Sequence, residues 1–188
     1  MELDAWRKIE AVAPCSMTMF SLGHVYVNGA VHWLAYKRPR SSAEPNSIMS
    51  FDMGGEVFKV LGLPNHLSAN QSQFYLSRLS ASATSETLSM FLKFDRWAHL
   101  EVWLMQEYGV VDSWTRQFSI ATEHISAPLE FMDSGDVLLQ GKGGNLVSYN
   151  AKNQHMNDLG ISGFQSCLRV FTWTSSLNLL DSGEKPFG

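Results

Sequence analysis

LEVWLMQEYGVVDSWTRQFSI, residues 100–120, reads as two short apolar strands joined by a polar turn. Leu100, Val102 and Leu104 alternate with Glu101, Trp103 and Met105. Gln106-Glu107-Tyr108-Gly109 then breaks the run, and Trp114 to Ile120 resumes the alternation. Period-2 alternation on both sides of a Gly-containing turn predicts a β-hairpin.

The same design recurs upstream. Val25–Val27 and Val31–Tyr36 flank Asn28-Gly29, the dipeptide best suited to a type I′ turn, whose two central residues both need positive φ. A polar loop, Lys37 to Ser47, carries Pro39 and Pro45 and is excluded from a central strand. Ile48–Asp52 and Glu56–Gly62 complete four antiparallel strands, with turns at Asn28-Gly29 and Gly54-Gly55 expected at one end. Trp6 to Ala11 is read as a single strand with nothing before it to pair with.

A second round comprises Phe74–Leu79, Thr87–Phe94, Leu100–Met105 and Trp114–Ile120. The third is shorter: Leu129–Met132, Asp136–Gln140, Leu146–Asn150 and Met156–Ile161, followed by a strand-like run at Cys167–Trp173. The third strands of the rounds begin at Ile48, Leu100 and Leu146, 52 and 46 residues apart. A period of roughly 50 residues with four strands per unit matches a kelch-type propeller blade. A β-sandwich also accommodates short strands with regular turns, but the repeated order of hairpin, longer loop and hairpin favours blades. A helical solenoid is excluded by the lack of 3.6-residue periodicity. The prediction is an all-β, partial kelch-like propeller of about three four-stranded antiparallel blades plus flanking strands. It forms one domain over 1–180, followed by a polar tail over 181–188.

Composition narrows the function. The chain has 188 residues, with 14 basic and 18 acidic side chains and a formal charge of −4, which argues against a general nucleic-acid binder. No apolar run is long enough to span a bilayer, so no membrane partner is expected. Two cysteines, Cys15 and Cys167, do not make a disulfide scaffold and fit a reducing compartment, cytoplasmic or nuclear.

No catalytic constellation emerges, and no cofactor or metal is called for. The six histidines form neither HExxH nor a pair with CxxC. Gly141-Lys142-Gly143-Gly144 lacks the frame of a phosphate loop and reads as a strand connection. No Gly-x-Ser-x-Gly elbow is present. Trp33, Trp103 and Trp114 read as core packing within or between blades. Asn28, Gly29 and Gly109 read as turn residues.

Four stretches together resemble the F-box-associated domain of plant F-box proteins. They are Val27-Asn28-Gly29-Ala30-Val31-His32-Trp33-Leu34-Ala35; Ile48 with Ser50-Phe51-Asp52; Glu56-Val57-Phe58 ending at Leu63-Pro64; and Glu101-Val102-Trp103 with Met105, Glu107-Tyr108-Gly109-Val110 and Ser113-Trp114-Thr115. The resemblance spans roughly Trp6 to Leu168. Gln106 and Asp112 stand where the family usually has Lys and Glu.

The resemblance implies a non-catalytic protein-interaction module, the substrate-recognition part of an SCF-type ubiquitin ligase subunit that holds a target protein for ubiquitination. A Skp-type adaptor and a cullin would be engaged through an F-box. Nothing in this sequence resembles that helical segment, so the chain is expected to be incomplete at its N-terminus and not to bind the adaptor. A propeller-scaffold enzyme, a glycan-binding protein and a truncated fragment without function are the alternatives.

One surface expectation comes from blade geometry. The 1–2 and 3–4 turns share one face of the disc, while the 2–3 loops and the connections between blades share the other. The second face receives the richer loops and would gather Arg38, Arg40, Arg96, Trp97 and Lys142. Recognition concentrates in loops on a rigid scaffold, and Arg and Trp are favoured as interface anchors. These five residues are the predicted partner-binding set.

Overall fold

The computed structural model describes residues 7–17, 24–36, 47–64, 67, 74–81, 87–94, 99–164 and 168–170. Among the described residues thirteen strands make three antiparallel sheets. The first holds β1 (Ser16–Met17), β2 (Val25–Val27), β3 (Ala30–Tyr36), β4 (Ser47–Asp52) and β5 (Val57–Leu61). The second is β6 (Phe74–Ala81), β7 (Leu88–Phe94), β8 (His99–Met105) and β9 (Trp114–Ala121); the third is β10 (Ile125–Phe131), β11 (Asp136–Gly141), β12 (Asn145–Asn150) and β13 (His155–Ser162). The second and third sheets are meanders in sequence order, and β6, the first strand of its sheet, touches β2, β3 and β10. These are three consecutive blades of a β-propeller.

The first blade departs from the sequence reading at its inner edge. Residues 7–13 form no strand, so the reading of Trp6 to Ala11 as one is corrected. Ile9 and Val12 are exposed there and have no apolar face to bury. Pairing passes instead to Ser16–Met17, which meets Tyr36 and Ala35, while Val25–Val27 meets His32, Val31 and Ala30. Because β4 holds the other edge of β3, β1 and β2 lie in tandem and together complete the inner strand. Of the run 167–173, residues 168–170 are described and are not in a strand; the tail over 181–188 lies outside the described residues.

Alternation along β7 and β8 sorts side chains between the two neighbouring blades. Leu88, Met90, Leu92, Trp103 and Met105 pack with Val27, Leu34 and Ile48 of the first blade. Phe91, Leu100 and Val102 pack with Val137, Leu139 and Tyr149 of the third. The middle sheet is therefore apolar on both faces, which explains why Leu88 to Lys93 contains no exposed position. Each fully buried Leu or Phe contributes roughly 1.5–3 kcal/mol relative to exposure. The third blade is less enclosed. Its far face carries a small cluster of Leu129, Leu138 and Leu146 against Leu168 and Val170, and β13 is exposed along its whole length.

Turns fix the two faces of the disc. Asn28 (φ 50°) and Gly29 (φ 74°) turn the first hairpin, and the Met53 N–H donates to the Gly29 carbonyl at 3.1 Å, so the 1–2 and 3–4 turns lie together. At the opposite end the Lys142 N–H donates to the His124 carbonyl at 2.9 Å, joining the 2–3 turn of the third blade to the connection that precedes it.

Candidate functional site

Of the predicted partner-binding residues, Arg38, Arg40, Arg96 and Trp97 lie outside the described residues. Lys142 is exposed on the tight turn between β11 and β12. It borders a cleft of about 330 Å³ lined by His124, Gly141, Asn145, Met156 and Asp158, among others. The turn beside the cleft is tight: Gly144 takes φ +83° and its N–H donates to the Gly141 carbonyl at 3.0 Å. Asn145 fills the space beside Gly141, where a Cβ would overlap its Oδ1, and its Nδ2 donates to Asp158 Oδ2 at 2.5 Å. Asp158 also accepts the Gly160 N–H at 2.8 Å, and these two hydrogen bonds, the backbone one foremost, hold its carboxyl below the usual range.

Beneath this end of the third blade lies a lysine that the sequence reading missed. Lys93, near the end of β7, is 1% exposed, and its Nζ donates to the Ser126 carbonyl at 2.6 Å. Burial, then the nearby charge of Lys142, brings its pKa down to about 8. Ser126 Oγ in turn bonds to the Gln140 carbonyl at 3.1 Å, tying the lysine's acceptor strand to β11. Two cationic side chains, one buried and one exposed, thus share the loop face of the seam between the second and third blades.

The turn face carries a different arrangement. Within Gln106–Ser113, the Ser113 Oγ donates to the Val110 carbonyl at 2.7 Å and accepts the Glu107 N–H at 3.0 Å. Gly109 takes φ +85° and its N–H meets Met105 Sδ at 3.1 Å. This closed loop projects Tyr108 onto the first blade, where its hydroxyl lies 2.8 Å from Nε2 of buried His32. Trp114 belongs to the same seam, its Nε1 reaching the Gly62 carbonyl at 3.4 Å. Trp103 is buried beside it and donates to Glu101 at 2.9 Å, while Arg116 clasps the same carboxylate at 2.9 Å. Trp33 is half-buried, and alternation along β3 turns it from the second blade, toward which Leu34 points.

None of these arrangements forms a nucleophile and base pair with a third orienting group. Among the described residues no three His, Cys, Asp or Glu side chains converge as metal ligands, and no helix is long and apolar enough to cross a membrane. Among the described residues, the loop face presents the exposed Lys142 and the turn backbone around it.

A family model described as the F-box associated beta propeller domain matches residues 1–177. The chain belongs to this family. Two Arabidopsis thaliana proteins are similar to it, F-box protein CPR1 (24% identical over 98% of this chain and 47% of the relative) and F-box protein At3g07870 (24% over 95% and 46%). The F-box/kelch-repeat protein At3g23880 of the same plant is 32% identical over 69% of this chain and 33% of its own length. The chain spans about half the length of the first two of these relatives. Among solved structures, an exo-β-1,3-galactanase from Phanerochaete chrysosporium overlays with a TM-score of 0.47 at 9% identity, covering 78% of this chain and 40% of the enzyme. That likeness is too distant to carry a functional argument.

Proposed function

We propose that this chain is a non-catalytic protein-binding module, the part of an F-box subunit that holds a target protein for ubiquitination by a separate enzyme. The observation that carries the reading is the family match across residues 1–177, joined by relatives that are themselves F-box proteins. In the longer proteins a Skp-type adaptor and a cullin would assemble on the F-box, and the propeller would present the target. The module would work in the cytoplasm or nucleus.

The loop face is the proposed contact surface. Arg38, Arg40, Arg96, Trp97 and Lys142 are assigned to it by strand order, and the site supports the choice by setting Lys142 at an open cleft with Lys93 behind it. An interface of this kind needs orientation and affinity from its side chains and no shifted catalytic group.

The test is affinity capture from plant extract with the chain fused behind an F-box. A reproducible set of captured proteins, lost when Arg38, Arg40, Arg96 and Lys142 are reversed to Glu, is the expected result. An unchanged set in the charge-reversed protein rules out the loop face. Failure of the fused protein to capture or ubiquitinate any protein rules out the module.

A further inference from the structure

The two faces of the first sheet carry different side chains. Leu34, Ile48 and Leu61 form a row that faces the second blade. On the opposite face, strand register places Tyr26, Val31, Phe51 and Phe58 in one row across four strands, and Trp33, Met49 and Val60 in the next. Every side chain in these two rows is apolar or aromatic, and the Phe51 and Phe58 rings pack 4.8 Å apart. Contiguous apolar patches of this kind are uncommon on free surfaces. Burial across the face is graded. Ala35 and Met49, toward the loop-face end, are buried; Trp33, Phe51 and Phe58 are half-buried; Tyr26, at the turn-face end, is exposed.

Residues 7–15 cross this face. At the turn-face end Arg7 pairs with the carboxylate of Glu56, between β4 and β5. At the loop-face end Cys15 Sγ lies 3.9 Å from Ser47 Oγ, and Ser16–Met17 pairs with Tyr36 and Ala35. Ser47 alternates onto the same face as Met49 and Phe51. Strand spacing and rise put the two ties roughly 20 Å apart, and a segment of this length reaches at most ~30 Å, so it runs between them with little slack. The second blade fills the other side of the sheet, which leaves the aromatic face as the path. The segment is lightly seated there. Ala11 and Cys15 are half-buried, whereas Ile9 and Val12 are 38% and 85% exposed. Both partners of the Arg7–Glu56 pair are open to solvent, and an exposed pair of this kind contributes little.

We propose that residues 7–15 form a displaceable strap over the aromatic face of the first blade, hinged at β1 and latched by Arg7 and Glu56. The hinge end is held by a strand pairing and covers its part of the face fully; the latch end is held by one exposed ion pair and covers its part thinly. Loss of such a pair shifts a closed–open equilibrium by about two- to fivefold. Opening uncovers Trp33, Phe51 and Phe58 while the pairings of β2 to β5 stay intact. The device lies away from Lys142 and its cleft and does not rest on the function proposed above.

The experiment is acrylamide quenching of Trp33 fluorescence in the purified 188-residue chain, taken as the difference from Trp33→Phe in each background. Arg7→Glu and Glu56→Arg should each raise the open population, and with it Trp33 quenching, by about two- to fivefold. The double variant Arg7→Glu/Glu56→Arg restores the pair with its charges exchanged and should return quenching to the wild-type value. High salt should act on the wild type as the single reversals do, since it screens exposed pairs. Lys8→Glu makes the same charge change one residue away, on an exposed side chain, and should leave quenching unchanged. The urea midpoint of every variant is expected to match the wild type, which separates opening of the strap from unfolding. The proposal is overturned if neither single reversal raises quenching, if the exchanged pair fails to restore it, if Lys8→Glu acts as strongly as Arg7→Glu, or if quenching rises only in step with a lowered urea midpoint.

Discussion

Nε2 of His32 and the hydroxyl of Tyr108 lie 2.8 Å apart although 76 residues separate them, one on β3 of the first blade and the other on the last turn of the second. Two sequence features read separately, a strand histidine and a turn tyrosine, meet as one inter-blade bond. Replacing Tyr108 by Phe keeps the ring and leaves the buried imidazole without that partner. The expected cost is about 1–3 kcal/mol, measured by urea unfolding.

The same pair sets an acid limit. Burial pushes the His32 imidazole below its ordinary value, with the backbone of Val25 and Ala30 working against the shift. The neutral ring is favoured in the folded state, so its contribution is intact above the unfolded pKa of about 6.5 and is lost as pH falls below that. Unfolding free energy should therefore decline from pH 7 to pH 5 with a slope that His32→Gln reduces. An identical slope in the variant would show that other groups govern the decline.

Glu130 has the opposite sign. Burial raises its carboxyl pKa, and Ser80, Arg78 and the backbone only partly oppose this. A raised carboxyl favours folding at low pH and loses that contribution as pH rises through the folded pKa. Glu130→Gln, which keeps an acceptor for Ser80, is expected to match or exceed wild-type stability at pH 8, with the difference closing toward pH 4. Glu130→Ala removes the acceptor and should be destabilised by about 1–3 kcal/mol at both ends.

Lys93 and Lys142 form a measurable electrostatic couple. Because Lys142 contributes to bringing Lys93 down to about 8, Lys142→Met should move the Lys93 titration midpoint upward, as followed by NMR of the ε-carbon. A midpoint that stays in place would show the two charges to be independent.

A Cβ at Gly141 would meet the terminal amide of Asn145, a side chain that can swing away. Gly141→Ala moves that amide off Asp158 and should cost about 0.5–1.5 kcal/mol, the worth of the lost hydrogen bond. Adding Asn145→Ala removes the obstruction, so the double variant is expected to lose less than the sum of the two single changes, as read from thermal unfolding.

Strand positions were legible in the sequence because Asn28-Gly29, Gly54-Gly55 and Gly135 punctuate runs whose period is that of a β-strand. The split inner strand of the first blade was not. Ser16–Met17 is too short to show a period, and its partner at Ala35–Tyr36 is fixed by tertiary pairing. The buried charges were hidden for a related reason. Lys93 in MFLKF and Glu130 in PLEF are single ionisable residues inside apolar runs, a visible anomaly, but their partners Ser126 and Ser80 lie on other blades. Sequence order predicted that Lys142 lies on the loop face; it gave no sign that a second lysine lies behind it.

Enclosure of the middle sheet on both faces has a consequence for how the molecule opens. Amides of β7 and β8 exchange with solvent only when both neighbouring blades separate from the sheet, whereas β13, exposed along its length, can detach from β12 alone. Deuterium uptake should therefore run as a gradient, fastest from His155 to Ser162 and slowest from Leu88 to Phe94. Protection of the second blade becomes a direct gauge of whether all three blades remain stacked.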